Sequence, residues 1–459
     1  MEEKHLDEAE RPGVMGWKEI YLKEDWWAVY LGIGIIVAVI ACFYSGGTFM
    51  KSLAVLPPPW TSLGQLGSHF SANILWYALQ FLVWITIFTL STRVMGFKQS
   101  EFIPSFILLY ILSIITFIIG QFKPVNQYGF EAPLVALLLG LGIANFVKLP
   151  RWIYSGFRVE YYIKTGIVLL GATLPFTLIV WAGPTAVIQA TIISVVTCLV
   201  IYFAATKIFK LDKRLGAVLG VGGAICGVSA AIAVGGAVRA KKEHVSMAIT
   251  LVIVWSIVMI FLLPFASRAI NLHPGVAGAW IGTSEFADAA GFAAASAYGR
   301  MTGNEEAAIR GFTLMKVIGR DIWIGIWSFI FALVACLKWE KEECETKANP
   351  MEIWWRFPKF VIGFLAASVI ITIIASGYSL TEYNHTVKPN LAGPIASLRL
   401  WAFIFCFLSI GLTTRFKELA AAGSKPFGAF SIGVAVNVVL GFLLSVVILG
   451  DYWIRVTGH

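Results

Sequence analysis

The chain has 459 residues, of which 58% are hydrophobic, 14% are aromatic and only 13% are charged. Soluble domains carry about a quarter charged residues, so this composition excludes a soluble enzyme, a nucleic-acid-binding domain and a secreted disulfide scaffold. Apolar runs long enough to cross about 30 Å of hydrocarbon recur along the whole chain and predict an all-α polytopic membrane protein. The net charge of +9 then reflects Lys and Arg in cytoplasmic loops beside anionic lipid.

Eleven apolar runs are predicted to be full membrane spans. In chain order they are 26–44, 73–91, 102–120, 132–146, 163–182, 186–206, 245–264, 312–337, 360–375, 398–412 and 427–449. We divide the chain into a cytoplasmic N-terminal segment (1–25), extra N-terminal transmembrane helices (26–131) and an inverted-repeat transporter core (132–459).

Two further apolar stretches, 215–238 and 279–298, are crowded with Gly, Ala and Ser and are poor in Leu and Phe. The basic cluster Arg239, Lys241 and Lys242 follows the first stretch and should remain cytoplasmic, as basic loops do. A re-entrant hairpin at 215–238, and a second one entering from the opposite face at 279–298, satisfies this condition. A broken helix that crosses the membrane is the alternative. On this topology the N-terminus is cytoplasmic and the C-terminus external.

The sequence also repeats itself weakly. Residues 170–176 (LGATLPF) parallel residues 410–416 (IGLTTRF), and each segment is followed by a proline and an apolar span. The predicted sidedness makes the related units inverted, which is the usual architecture of secondary transporters. Chance similarity is the alternative for this match taken alone.

Four short motifs stand in order along the second half of the chain. They are Leu211-Asp212-Lys213, Ile225-Cys226-Gly227, the acidic segment 282–288 and the pair Lys316/Arg320. Over about residues 144–449 the chain thereby resembles the YeiH-type family of proposed sulfate exporters. The resemblance implies a fold similar to the cation/proton antiporter and anion transporter group, with two interrupted helices near mid-membrane, and export of a sulfur oxyanion. Ser284 and Asp288 depart from the family pattern, a His before the Glu and an amide three residues after it, which leaves substrate and coupling ion open.

The glycine-rich break predicts an anion site. Glycines let the chain turn, and the N-terminus of a half-helix presents N–H groups and the positive end of its dipole to an anion. The predicted substrate-binding residues are Gly223, Cys226, Gly227, Ser229, Ser284, Lys316, Arg320 and Asn145. Close helix packing is the alternative for Gly223-x-x-x-Gly227 and for Asn145.

Lys316 and Arg320 are four residues apart, so they share one face of the predicted span 312–337. The planar fork of Arg320 suits an oxyanion. Two alternatives remain open: Lys316 reaches the interface along its aliphatic stem, or Arg320 forms a structural pair with Glu285 or Asp321.

Glu285 and Asp288 are three residues apart and would share one face of a helix. Acids at membrane depth are costly and usually face a cavity, so this pair is the predicted ion-coupling site, binding Na⁺ or exchanging H⁺. The alternative is a shallow hairpin in which both acids are solvated.

We therefore expect a secondary active transporter, an exporter of sulfate or a related sulfur oxyanion or sulfonate, in the inner membrane of a prokaryote. An anion channel, or a Na⁺- or H⁺-coupled transporter of a small organic carboxylate, is the alternative. The chain has no Walker A, HExxH or GxSxG motif, so we expect neither enzymatic activity nor a cofactor. The expected partners are a small anion, a coupling ion and membrane lipid but not nucleic acid, and a homodimer is compatible with the sequence.

Overall fold

A computed structural model describes residues 17–126, 132–173, 176–339, 354, 358–379, 382–415 and 423–458. Residues 1–16 of the predicted cytoplasmic segment lie outside the described part. The described chain folds into α-helices, several of which continue into π-helical turns. The helices are α1 Glu19–Leu22, α2 Glu24–Tyr44, α3 Phe49–Leu53, α4 Leu63–Val94, α5 Gln99–Gly120, α6 Lys123–Asn126, α7 Ala132–Phe146, α8 Val159–Gly171, α9 Phe176–Phe203, α10 Lys213–Ala224, α11 Val228–Ala237, α12 Lys242–Ala269, α13 Pro274–Ser284, α14 Asp288–Met301, α15 Glu305–Thr313, α16 Trp323–Val334, α17 Lys359–Ser376, α18 Gly393–Thr413, α19 Ser424–Phe442 and α20 Gly450–Thr457.

Within the described residues, eight helical segments are long and apolar enough to cross a membrane. They are Glu24–Tyr44, Leu63–Val94, Gln99–Gly120, Ala182–Ile208, Glu243–Ala269, Lys359–Ser376, His385–Thr413 and Ser424–Ile448. The prediction of an all-α polytopic membrane protein is thus confirmed. Helix α4 begins ten residues before the predicted span 73–91. Its first turns are polar, so a prediction from hydropathy leaves them out although they are helical.

The chain separates into two compact units. The hairpin unit contains the described residues of Leu178–Pro358 and Phe416–His459, and the N-terminal unit contains Trp17–Thr177 and Lys359–Arg415. The core of the N-terminal unit is aromatic. The ring of Phe405 lies 5.7 Å from Trp84, 5.3 Å from Phe106 and 5.7 Å from Tyr162, measured between centroids.

An ion-pair cluster fixes one end of α2 in the N-terminal unit. Lys164 Nζ lies 2.7 Å from the Asp25 carboxylate and 3.4 Å from that of Glu160. Arg158 pairs with Glu24, and both side chains are buried. Buried charges of this kind are retained when each has an opposite charge beside it. The cluster therefore joins α2 to α8.

Helices related by the sequence repeat run antiparallel within each unit. In the N-terminal unit, Thr173 at the end of α8 accepts a 2.8 Å hydrogen bond from Arg399 near the start of α18. In the hairpin unit, Asn437 donates a hydrogen bond to Thr197 at 3.0 Å, and Gln189 donates one to Ser445 at 2.7 Å. Helices α9 and α19 therefore run in opposite directions. This is the orientation that inverted repeats require.

The break after α8 lies elsewhere than predicted. Helix α8 ends at Gly171, and α9 begins at Phe176 and runs through Pro184, so the predicted boundary between 182 and 186 is wrong. Thr372 Oγ1 accepts a 2.8 Å hydrogen bond from the Phe176 N–H and satisfies one of the first N–H groups of α9. A tertiary contact thus places this helix start, and hydropathy does not reveal it.

Each glycine-rich stretch forms a helical hairpin. Hairpin 1 is α10, the turn 225–227 and α11; its two ends meet where Arg214 Nη1 donates to Arg239 O at 3.0 Å. Hairpin 2 is α13, the turn 285–287 and α14; its ends meet where Tyr298 Oη donates to Leu272 O at 2.6 Å. The chain reverses at each turn, so the alternative of a broken helix that crosses is wrong.

The two hairpins enter from opposite ends of the hairpin unit. Helix α12 connects the base of hairpin 1 to the base of hairpin 2, and its 28 residues span about 42 Å at 1.5 Å per residue. That length exceeds the hydrocarbon thickness of about 30 Å. The opposed pair of re-entrant hairpins predicted from the sequence is therefore present.

The opposed bases give a topology prediction. Lys241 at the base of hairpin 1 and Thr302 at the base of hairpin 2 are both exposed. In a background without native cysteines, a cysteine at Lys241 should react with an impermeant maleimide only in inverted vesicles, because basic loops face the cytoplasm. A cysteine at Thr302 should react in intact cells. Labelling of both positions from the same side would contradict the opposed arrangement.

Candidate functional site

The tips of the two hairpins touch each other. Gly227 has a φ of +76°, and a Cβ built on it would lie 2.6 Å from Phe286 O in the tip of hairpin 2. The Phe286 ring packs at 5.7 Å against Phe430 of α19, and Phe430 also contacts Gly223 of hairpin 1. Glycine is needed at 227 both for its positive φ and for this close backbone approach.

Two buried cations join the tips through main-chain carbonyls. Lys316 Nζ donates to Ile225 O at 2.7 Å and to Glu285 O at 3.0 Å. Arg320 reaches both hairpins as well. Its Nε donates to Ala224 O at 3.2 Å, and its Nη1 donates to Gly282 O at 3.1 Å, Thr283 O at 2.7 Å and Glu285 O at 3.0 Å.

These carbonyls belong to the C-terminal ends of α10 and α13. The last carbonyls of a helix have no intrahelical partner and form the negative end of its dipole, so a cation there is favourable. Lys316 and Arg320 are both 0% exposed. The alternative in which Lys316 reaches the membrane interface is therefore wrong. The hydrogen bonds of Arg320 go to carbonyls, and the carboxylates of Glu285 and Asp321 lie close enough to act on its charge.

Lys316 and Arg320 lie on a π-helical segment, Leu314–Arg320, between α15 and α16. The Asp321 N–H donates to Lys316 O at 3.1 Å, the i to i+5 bond of a π turn. Lys316 and Arg320 are four residues apart, and in this wider turn they both lie on the side that faces the hairpin tips. The α-helix predicted to run without a break through 312–337 thus contains a π-helical segment at the two cations. Such π turns inside α-helices are frequent at functional sites.

The two predicted coupling acids do not share a helix face. Glu285 follows the end of α13 in an extended conformation, and Asp288 is the first residue of α14. Glu285 Oε1 accepts hydrogen bonds from the N–H groups of Phe286 and Ala287 at 3.0 and 3.3 Å. Oε2 accepts none from the part of the chain that the structure describes, and Ser256 lies beside the carboxylate. Asp288 Oδ1 lies 3.5 Å from Lys316 Nζ. Both acids are buried, so the alternative of a shallow, solvated pair is wrong.

The second helices of the two hairpins, α11 and α14, differ in charge at their N-terminal ends. Helix α14 begins with Asp288, and the Glu285 carboxylate accepts hydrogen bonds from the N–H groups of the two residues that precede this helix. Helix α11 begins after Gly227 without a side-chain cap, and Ser229 is half-buried in its first turn. The Cys226 thiol is buried beside it. An anion would be repelled at α14 and attracted at α11.

The remaining predicted site residues have packing contacts. Ser284 is buried at the end of α13, and a Cβ on Gly441 of α19 would lie 2.6 Å from its hydroxyl. Gly223 packs against Ile201 and Phe430. Asn145 belongs to the N-terminal unit, where its amide donates to Leu141 O at 2.9 Å and Thr414 O at 3.0 Å. Asn145 thus joins α7 to the end of α18, as the packing alternative proposed.

One group of ligand-type side chains lies beside the junction. Cys226, Asp288 and Asp321 are buried, and their sulfur and carboxylate oxygens lie within 4.8 Å of one another. Lys316 at 3.5 Å from Asp288 already supplies positive charge there. A divalent metal would have to compete with this ammonium and with the neighbouring Arg320 guanidinium, so the donor set does not fit one well.

A line of polar residues along α19 was missed from the sequence. Asn437 and Gly441 of α19 and Ser445 of the π-helical segment that follows it are four residues apart. They face Thr197, the end of α13 and Gln189 in turn. Trp453 Nε1 donates to Gln189 Oε1 at 3.1 Å and extends the line into α20. The regular spacing of a polar or small residue at every fourth position in an apolar span is the signal that could have revealed it.

The chain matches known proteins over most of its length. The family model described as Conserved hypothetical protein 698 covers residues 104–429. The chain is 34% identical over 367 residues to a UPF0324 membrane protein of Nitratidesulfovibrio vulgaris, a match to 78% of this chain and 62% of that protein. It is 31% identical over 407 residues to a UPF0324 membrane protein of Rhodopirellula baltica, covering 88% of this chain and 73% of the relative. A relative from Nitrosomonas europaea is 31% identical over 445 residues, covering 87% and 90%.

The chain belongs to the UPF0324 membrane protein family. The resemblance to the YeiH-type family drawn from the motifs is thereby confirmed, although the family match begins at residue 104 and so includes the third predicted span. The match spans less than two thirds of the length of the Nitratidesulfovibrio relative. The names of these UPF0324 relatives state a membrane protein and no substrate. No solved structure matches the chain.

Proposed function

We propose that the protein is a secondary active transporter that exports sulfate or a related sulfur oxyanion or sulfonate by alternating access. One observation carries the proposal: two hairpins enter one unit from opposite ends and meet tip to tip. Interrupted helices that meet at mid-membrane are the usual way in which secondary transporters build a substrate site. Two buried cations, Lys316 and Arg320, also lie at this meeting point.

The anion site is assigned to the first turn of α11, at Cys226, Gly227 and Ser229. Helix N-termini bind oxyanions through N–H groups that have no intrahelical partner. The corresponding place in hairpin 2 carries Glu285, in its turn, and Asp288, the first residue of α14, and these acids are assigned to ion coupling. Of the Arg320 nitrogens, only Nη2 makes no hydrogen bond to the described residues, so it alone remains to contact the anion.

Alternating access is assigned to movement of the hairpin unit as one body. Both hairpins, both buried cations and the antiparallel pair α9 and α19 belong to this unit. A substrate held between the tips therefore travels with the unit. Movement of one repeat against the other would instead separate the tips that Lys316 and Arg320 join.

A transport assay with purified protein in liposomes tests the proposal. Labelled sulfate should leave loaded vesicles with saturable kinetics, and unlabelled sulfate, sulfite, thiosulfate, a sulfonate and a carboxylate should compete according to their fit. Conductance that needs no coupling gradient would favour the channel, and competition by the carboxylate alone would favour the organic-anion transporter. No flux with any of these anions would contradict the proposal.

The Ser229→Asp variant tests the anion site. An acid in the first turn of a helix is well tolerated, so the fold should persist. The new negative charge should repel the substrate and weaken sulfate binding by more than about tenfold. Isothermal titration of the purified protein measures this effect.

Ser229→Asn is the matched control, because it adds similar bulk without the charge. Its loss of affinity should be much smaller than that of Ser229→Asp. Equal affinity in the wild type and in Ser229→Asp would place the anion elsewhere.

A further inference from the structure

The Lys316 ammonium lies among three oxygen atoms, one from hairpin 1 and two from hairpin 2. They are Ile225 O in the tip of hairpin 1 at 2.7 Å, Glu285 O in the tip of hairpin 2 at 3.0 Å, and Asp288 Oδ1 at the start of α14 at 3.5 Å. Lys316 has no exposed surface, so its charge is stabilised by the protein alone. The shorter contacts are to carbonyls, which an ordinary Lys–Asp ion pair would not require.

Carbonyls at unwound helix ends together with a carboxylate are the ligands of a hard cation. Discontinuous membrane helices coordinate Na⁺ through such carbonyls, and hard cations prefer oxygen ligands. We propose that the junction of the two hairpin tips is a monovalent-cation site that the chain fills with its own Lys316 ammonium. The protein then needs no Na⁺ at this junction to hold the tips together.

The charges around Lys316 agree with this assignment. Glu285, Asp288 and Asp321 supply three carboxylates, Lys316 and Arg320 supply two cations, and the Cys226 thiol lies beside them. With all five groups ionised, the cluster carries a single negative charge. One proton neutralises that charge, whereas an added Na⁺ would have to share its ligands with the ammonium. On the proposed transport function, this makes H⁺ rather than Na⁺ the coupling ion.

Removal of the ammonium should open the site to a cation from solution. The Lys316→Ala variant leaves the three oxygen ligands in place and creates room among them. Its Tm in detergent should fall below that of the wild type. The Tm should then rise by several degrees, with saturation, in Na⁺ or ammonium relative to choline at equal ionic strength and pH. The wild type should show no saturable response to Na⁺.

Two further variants separate cation binding from general effects. Lys316→Met also removes the charge, but its side chain occupies the space, so its Tm should not respond to small cations. Lys98→Ala changes an exposed lysine, whose side chain is 77% accessible, and should behave as the wild type. Cation-specific stabilisation of Lys316→Ala alone supports the proposal.

Other results overturn it. A saturable Na⁺ response in the wild type, or equal Tm of Lys316→Ala in Na⁺, ammonium and choline, would show that the ammonium does not replace a cation. Should Lys316→Ala not purify in choline, recovery of monodisperse protein in ammonium supports the site, and no recovery in any cation overturns it. These readouts need no transport, so the cation site and the sulfate exporter can fail separately.

Discussion

Gly227→Ala is expected to separate the two hairpin tips. Position 227 has a φ of +76°, and a Cβ there would lie 2.4 Å from Val252 and 2.6 Å from Phe286 O. Backbone strain of this kind costs about 1–3 kcal/mol, and forcing an extra carbon into a packed interior costs a similar amount. We expect a marked fall in Tm and loss of sulfate binding, measured on the purified protein.

Gly222→Ala is the matched control within the same hairpin. A Cβ there would lie 3.5 Å from that of Ala231, an ordinary van der Waals distance, and the position is inside α10. Alanine is favoured over glycine in a helix by about 1 kcal/mol, so the Tm should hold or rise. Similar behaviour of both variants would show that contact between the tips is unimportant.

Arg320→Ala is expected to destabilise the hairpin unit strongly. The substitution removes the donor from Ala224 O, Gly282 O and Thr283 O, which lie inside the protein at two helix ends. A buried carbonyl left without a partner costs about 1–3 kcal/mol. The Tm should fall by many degrees, and part of the protein should aggregate during size-exclusion chromatography.

Arg320→Lys should recover only part of this stability. The lysine ammonium is a compact charge and lacks the planar fork with which the guanidinium reaches both hairpins. Arg455→Ala, at an exposed arginine of α20, should change the free energy of unfolding by no more than about 0.5 kcal/mol. An Arg320→Ala protein with wild-type Tm that fails to bind sulfate would instead make Arg320 a substrate ligand without a structural role.

The two variants test different parts of one arrangement. Gly227 permits the close approach of the tips, and Arg320 supplies the hydrogen bonds across them. Because both act within the hairpin unit, the expected falls in Tm do not depend on the identity of the transported anion. Stability measurements can therefore establish the junction before a substrate is known.

The sequence by itself determined the class of protein and the location of its unusual elements. Composition and apolar length predict membrane helices because a bilayer offers no partner for backbone polar groups. Runs of Gly, Ala and Ser too poor in large apolar residues for an ordinary span predict both hairpins. The basic residues at 239–242 predict a cytoplasmic base for hairpin 1, since positive charge is retained in the cytoplasm.

Only the tertiary structure decided the partners of the charged residues. From spacing alone, Glu285 and Asp288 share a helix face, but the chain leaves the helix between them. Lys316 is only eleven residues from the start of α15, yet it is fully buried, because carbonyls from two other segments of the chain surround its ammonium. Sequence patterns report local periodicity and hydropathy. Which carbonyls a helix break frees, and which cation reaches them, depends on how distant segments pack.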